Sequence, residues 1–102
     1  MPKYIVIYQD PQEDAVTPDA IPALVQGHVD HLKALQAQGL LFMCGILKGA
    51  EDKGLLIFDA SSKEEVERHV LKDPFIAHKC YATYSISEWI VADDSNNWLM
   101  EE

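Results

Sequence analysis

The order of strand-like and helix-like segments predicts an α+β fold, a βαββαβ sandwich of the ferredoxin-like kind. Three observations carry this reading. Four short segments are rich in β-branched, aromatic or continuous apolar residues: Lys3 to Gln9, Leu40 to Leu47, Gly54 to Ala60 and Tyr81 to Val91. Segments with helical signals fill the gaps between the first and second strand and between the third and fourth. The link between the two middle strands is short enough for an antiparallel hairpin. A chain of 102 residues, 48% of them hydrophobic, suffices for one domain with a core of its own. A single domain is therefore expected over residues 1–91, with 92–102 as a C-terminal tail.

The first strand, KYIVIYQ, stops at Asp10-Pro11, and DPQEDAVTPD then reads as a loop. Thr17-Pro18 offers an N-cap followed by a proline at the first helical position, with Asp19 at the positive end of the helix dipole. Pro22 lacks an N–H, so the regular helix is expected either from Thr17 or only from Pro22 after a preceding turn. Ile21, Leu24, Val25, Val29, Leu32 and Leu35 share one broad stripe of this helix. Gly39 closes it as a C-terminal glycine. LLFMCGIL is too short for an independent helix and reads as a buried strand, and GLLIFDA repeats the pattern. Ser61-Ser62 with Glu64-Glu65 is a capping-box signal for a second helix through about Leu71, with Val66 and Val70 inward. Asp73-Pro74 ends it, because the residue before a proline is pushed out of helical geometry.

The strands are apolar on both sides. Ile5 and Ile7 alternate with Tyr4, Val6 and Tyr8, while Leu40, Phe42 and Ile46 alternate with Leu41, Met43 and Leu47. Two helices on one face cannot cover both sets, so a homodimer is expected, packing sheet against sheet or closing a shared barrel. Trp98, Leu99 and Met100 follow a polar linker and either reach across to that partner or form a free tail.

Seventeen acidic against eight basic residues, a net charge of −9, argue against nucleic acid as a partner. No apolar run approaches the roughly 20 residues of a bilayer span, and the first residues lack a signal peptide's pattern, so a cytoplasmic protein with no membrane partner is expected. Cys44 and Cys80 form no CxxC pair and read as packed thiols. The glycines make no phosphate-binding loop, and there is no GxSxG elbow. His69 and His78 lie on polar stretches, as surface histidines do.

His28 stands apart, because it sits near the middle of the apolar stripe of the first helix, with His31 at its edge. A ring nitrogen there needs a partner, since an unpaired buried polar group costs on the order of 1 to 3 kcal/mol. That partner is either a backbone carbonyl, which makes His28 a core residue, or a side chain with which it does chemistry. No third ligand at familiar spacing joins His28 and His31, so no metal site is expected. Asp73 has an ordinary role as the cap of the turn that follows it. In a βαββαβ fold it could also come near the first helix and orient the His28 imidazole for acid–base work near neutral pH.

In this order the residues resemble the YciI-like (YCII-related) family. The resemblance is carried by the opening strand, a helix with a histidine, the GxLxxxG-like passage Gly39-Leu40-Leu41-Phe42-Met43-Cys44-Gly45, a strand and helix, Asp73-Pro74-Phe75, and a tyrosine-bearing last strand. It extends to about Trp89. It implies a dimeric α+β barrel in which His28 and Asp73 are the active-site pair and Phe75 and Gly45 face the substrate. It further implies proton transfer without a cofactor on a small oxygenated or chlorinated ring compound, by a lyase or isomerase, as in dehydrochlorination of a chlorinated hydroxyhydroquinone. Many relatives carry an arginine where this chain has Val25 and a proline where it has Ile46, which implies a less charged substrate here. The alternative is a dimeric ligand-binding or regulatory module without catalysis, since a fold does not fix a function.

Overall fold

Antiparallel pairing joins four strands into one sheet in the order β2-β3-β1-β4. They are β1 (Lys3–Pro11), β2 (Leu41–Leu47), β3 (Lys53–Asp59) and β4 (Tyr81–Trp89). The computed structural model describes residues 1–101. Helices α1 (Ile21–Ala37) and α2 (Lys63–Leu71) and the four-residue α3 (Pro74–Ala77) complete a ferredoxin-like α+β domain.

Local chemistry sets the element ends. A 3-10 turn at Pro18–Ala20 precedes α1, and Pro22 falls at its second position, where the missing N–H has no helical partner to lose. Of the two expected starts the later one therefore holds, and Thr17 makes no side-chain cap bond. Gly39 takes φ +76° just beyond the helix, as expected. Ser62 Oγ accepts the Glu65 N–H at 3.2 Å while Glu65 Oε1 accepts the Ser61 N–H at 2.9 Å, so the capping box forms with its return bond one residue earlier.

The sheet's two faces differ. Tyr4, Val6 and Tyr8 of β1 and Leu56 and Phe58 of β3 are buried together with Leu35 of α1 and Val66 and Val70 of α2. Full burial of side chains such as these two valines stabilises by about 1.5–3 kcal/mol each. The opposite face carries Ile5, Ile7, Leu55 and Ile57, flanked by exposed Met43, Leu47 and Trp89.

Four expectations are corrected. The β2 run is an edge strand in which Leu41 alone is buried; a continuous apolar sequence does not distinguish a core strand from one whose faces remain open. Cys44 is exposed on it instead of packed. A register shift between Leu41 and Met43 breaks the assumed alternation, and Phe42 lies under Lys3 Nζ at 4.4 Å on the open face, away from Ile46. The apolar stripe of α1 is fully buried only at Leu35 near its C-terminal end, while Ile21 and Val25 are exposed.

Beyond β4, Asp93 accepts the Ser95 N–H and Asn96 accepts the Asp93 N–H, winding Asp94–Leu99 into a 3-10 segment. Asn97, Trp98 and Leu99 hold positive φ, and Trp98, Leu99 and Met100 are exposed. Glu102, the last residue of the expected tail, lies outside the described residues.

Candidate active site

The site grows from the junction of α2 and α3. Proline at 74 holds Asp73 extended (φ −67°, ψ 125°), which ends α2. From there its carboxylate folds back to accept the Phe75 N–H at 3.0 Å, capping α3. The cap is only part of its bonding. Asp73 is 0% exposed, and it also accepts the Tyr8 O–H on Oδ2 at 2.8 Å and the His28 Nδ1–H, which lies 2.9 Å from both carboxylate oxygens. A buried carboxylate is tolerated because these three donors, one of them able to carry positive charge, replace its water.

Gly27 explains how α1 comes close enough. A Cβ there would stand 3.2 Å from Pro74 Cγ, so the glycine lets the helix approach α3 without a tight contact at that height. The next residue, His28, then reaches Asp73. The Phe75 ring stacks on the imidazole, with centroids 3.9 Å apart and planes 12° from parallel.

With Nδ1 bonded to Asp73, Nε2 is the ring nitrogen left for another partner. Nε2 has no protein partner among the described residues, yet it is not sealed off, because no enclosed side-chain nitrogen or oxygen lacks a bond. His28 lines a cavity of about 310 Å³ between α1, β2, β3 and α3. Val25, Leu32, Ile46, Leu55 and Leu56 give apolar walls; Gly45, Cys44, Tyr8, Phe75 and Tyr81 complete them, and no Asp, Glu, Lys or Arg lines it. An apolar space of about 150 Å³ already holds benzene, so a substituted single ring fits. A larger surface hollow at Pro11–Ala15 and Ala77–Lys79 holds none of the paired groups.

The tyrosines and Cys80 remain protonated near neutral pH. Burial first, and then the Asp73 charge, push the Tyr8 phenol far above its usual range. Burial likewise raises Tyr81, Tyr84 and the Cys80 thiol, and Asp73 adds to the effect on Cys80.

Of the four residues named from sequence, His28, Phe75 and Gly45 line one cavity, and Asp73 is buried behind them, bonded to His28. Tyr8, Cys44 and Tyr81 were not foreseen there. Tyr8 carried a usable signal: it alternates in phase with Tyr4 and Val6, so its ring faces the helices, and a buried tyrosine O–H must find an acceptor. His31 takes a different part, as Nε2–H donates to the His69 carbonyl at 2.8 Å and ties α1 to the end of α2. His69, expected on the surface, is half-buried, which lowers its pKa. Among the described residues no three His, Cys, Asp or Glu side chains cluster for a metal, and no helix is long and apolar enough to cross a membrane.

The sequence profile of the YCII-related domain matches residues 1–90. No curated protein sequence matches the chain. Among solved structures, it is similar to the 5-chloro-2-hydroxyhydroquinone dehydrochlorinase TftG of Burkholderia phenoliruptrix AC1100 in complex with 2,5-dihydroxybenzoquinone. There the TM-score is 0.60 and the identity 21%, over 92% of this chain and 99% of that one. It is also similar to an antibiotic biosynthesis monooxygenase (TM-score 0.50, 12% identity, 91% of this chain and 100% of that one). A third likeness is Rv0793 of Mycobacterium tuberculosis (TM-score 0.51, 12% identity, 93% and 99%). At such identities the likeness establishes the fold alone.

Proposed function

The chain belongs to the YCII-related family, and from that membership and the His28–Asp73 pair we propose that it is a small cytoplasmic enzyme that transfers protons on an uncharged, oxygenated or chlorinated ring compound. The observation that carries this is the imidazole of His28, held by a buried carboxylate at 2.9 Å on the wall of an apolar cavity. Its type is a lyase or isomerase, and its substrate class is that of the dehydrochlorinase it resembles in fold.

His28 Nε2 takes the proton of a ring hydroxyl, and Asp73 stabilises the imidazolium that forms and keeps the proton of the resting ring on Nδ1. In a chlorinated hydroquinone that proton is returned to the chlorine-bearing carbon. Loss of a second hydroxyl proton then expels chloride from that carbon. The ring is oxidised to a quinone as C–Cl becomes C–H, so the step balances without an external oxidant. Phe75 fixes the plane of the imidazole, Gly45 leaves room beside the ring, and the uncharged walls, with Val25 in place of an arginine, favour a neutral substrate.

The reading includes a homodimer formed through the open sheet face, since half-buried Ile5, Ile7 and Leu55 and exposed Met43, Leu47 and Trp89 make that face apolar. The tail after residue 91 packs on the partner in this arrangement, which would shelter Trp98, Leu99 and Met100. The test is turnover of chlorinated and unchlorinated hydroxyhydroquinones by the protein and by His28→Ala and Asp73→Asn. Loss of turnover in folded variants supports the enzyme. Ring binding without turnover in the unaltered protein would make it a binding module.

A further inference from the structure

We propose that Tyr8 is a positioning residue for the His28–Asp73 pair, donating its O–H to Asp73 so as to draw charge from the carboxylate and set the pH at which His28 takes up its proton. This rests on the reading of His28 as the proton-handling group. The geometry is specific: Tyr8 Oη and His28 Nδ1 share the same oxygen, Asp73 Oδ2, at 2.8 and 2.9 Å. Two donors on one oxygen divide its charge, so each bond weakens the other's hold.

Tyr8 suits a fixed donor. It is 1% exposed, pairs across the sheet with Gly54, and tilts against Tyr81 with centroids 5.5 Å apart, so its hydroxyl has one direction available. Its phenol is pushed well above the usual range, chiefly by burial, so it stays a donor at every working pH. The other titratable groups around the pair do not supply this control. Tyr81 and Tyr84 of β4, and Cys80 before it, are shifted toward their neutral forms. β2 brings Cys44, β3 brings no titratable group to the cavity, and His31 of α1 turns to the His69 carbonyl at the end of α2.

Removing the hydroxyl frees carboxylate charge for the imidazolium, so His28 should hold its proton more tightly. Tyr8→Phe therefore acts in the opposite sense to Asp73→Asn, which removes the charge altogether. A merely structural tyrosine has no such signed effect.

The experiment is an NMR titration of the four imidazoles in the full chain without substrate, with His28 assigned from His28→Gln. The expected result is a His28 midpoint about half a pH unit or more higher in Tyr8→Phe and lower in Asp73→Asn. An unchanged or lowered midpoint in folded Tyr8→Phe overturns the proposal. If Tyr8→Phe does not fold, 3-fluorotyrosine at position 8, a stronger donor of nearly the same size, decides instead: a lowered midpoint supports the role and an unmoved one refutes it. Because no turnover is needed, failure of the enzyme reading shows separately, as a ring compound left unconverted by the unaltered protein.

Discussion

Replacing Asp73 by Asn tests the pair with little change of shape. Asparagine is as good an N-cap as aspartate, so the bond from the Phe75 N–H survives. The other two partners suffer. Nδ1 lies 2.9 Å from both carboxylate oxygens, so a new NH2 group at either position meets an N–H or requires the imidazole to move its proton to Nε2. That is the wrong tautomer for a base facing the cavity. The His28 midpoint should fall, because the imidazolium loses its anionic partner. The maximal rate should drop by roughly 10²-fold or more through the lost charge and the wrong tautomer. Imidazole NMR gives the midpoint and initial rates of chloride release against pH give the maximal rate. An unchanged midpoint and rate in a folded variant would reduce Asp73 to a turn cap and remove the second member of the mechanism.

Other outcomes follow from packing and charge. Leu35→Ala, at a site 2% exposed, should cost about 2–5 kcal/mol in urea denaturation, whereas Ser62→Ala should cost about 1 kcal/mol through loss of the α2 cap. Because Tyr8 has a folded pKa above its unfolded value of 10.0, its contribution is complete below that pH and fades as pH rises beyond it. Alkaline unfolding monitored by circular dichroism should accordingly be less steep in Tyr8→Phe. Sedimentation at micromolar concentration should give twice the 11.5 kDa chain mass, and Met43→Glu on the open face should shift it to the monomer.

The sequence showed most clearly what local chemistry decides. The α2 box at Ser61, Ser62 and Glu65, the break at Asp73-Pro74 and the turn at Gly39 are each set by a few neighbouring atoms, and all three form, the box with its return bond moved to Ser61. What depends on the third dimension was harder to see. The run from Leu41 to Leu47 has the composition of a core strand but lies at an edge, and nothing in it announces the register shift that turns Phe42 to the open face. The meeting of His28 with Asp73 was legible as a possibility, and family resemblance singled it out; the close approach that makes it, Gly27 against Pro74, had no sequence signature of its own. Tyr8 was overlooked because a tyrosine in a strand is unremarkable by composition, and its partner lies 65 positions away.

The central claim is that His28 moves the proton, and chloride release from a chlorinated hydroxyhydroquinone by the protein and by His28→Gln addresses it most directly. The account predicts turnover by the unaltered protein and a rate lower by roughly 10²–10⁴-fold in the variant, with ring binding retained because Phe75 and the apolar walls remain. Equal rates in the two proteins would contradict it, as would a ring compound that binds the unaltered protein and is never converted.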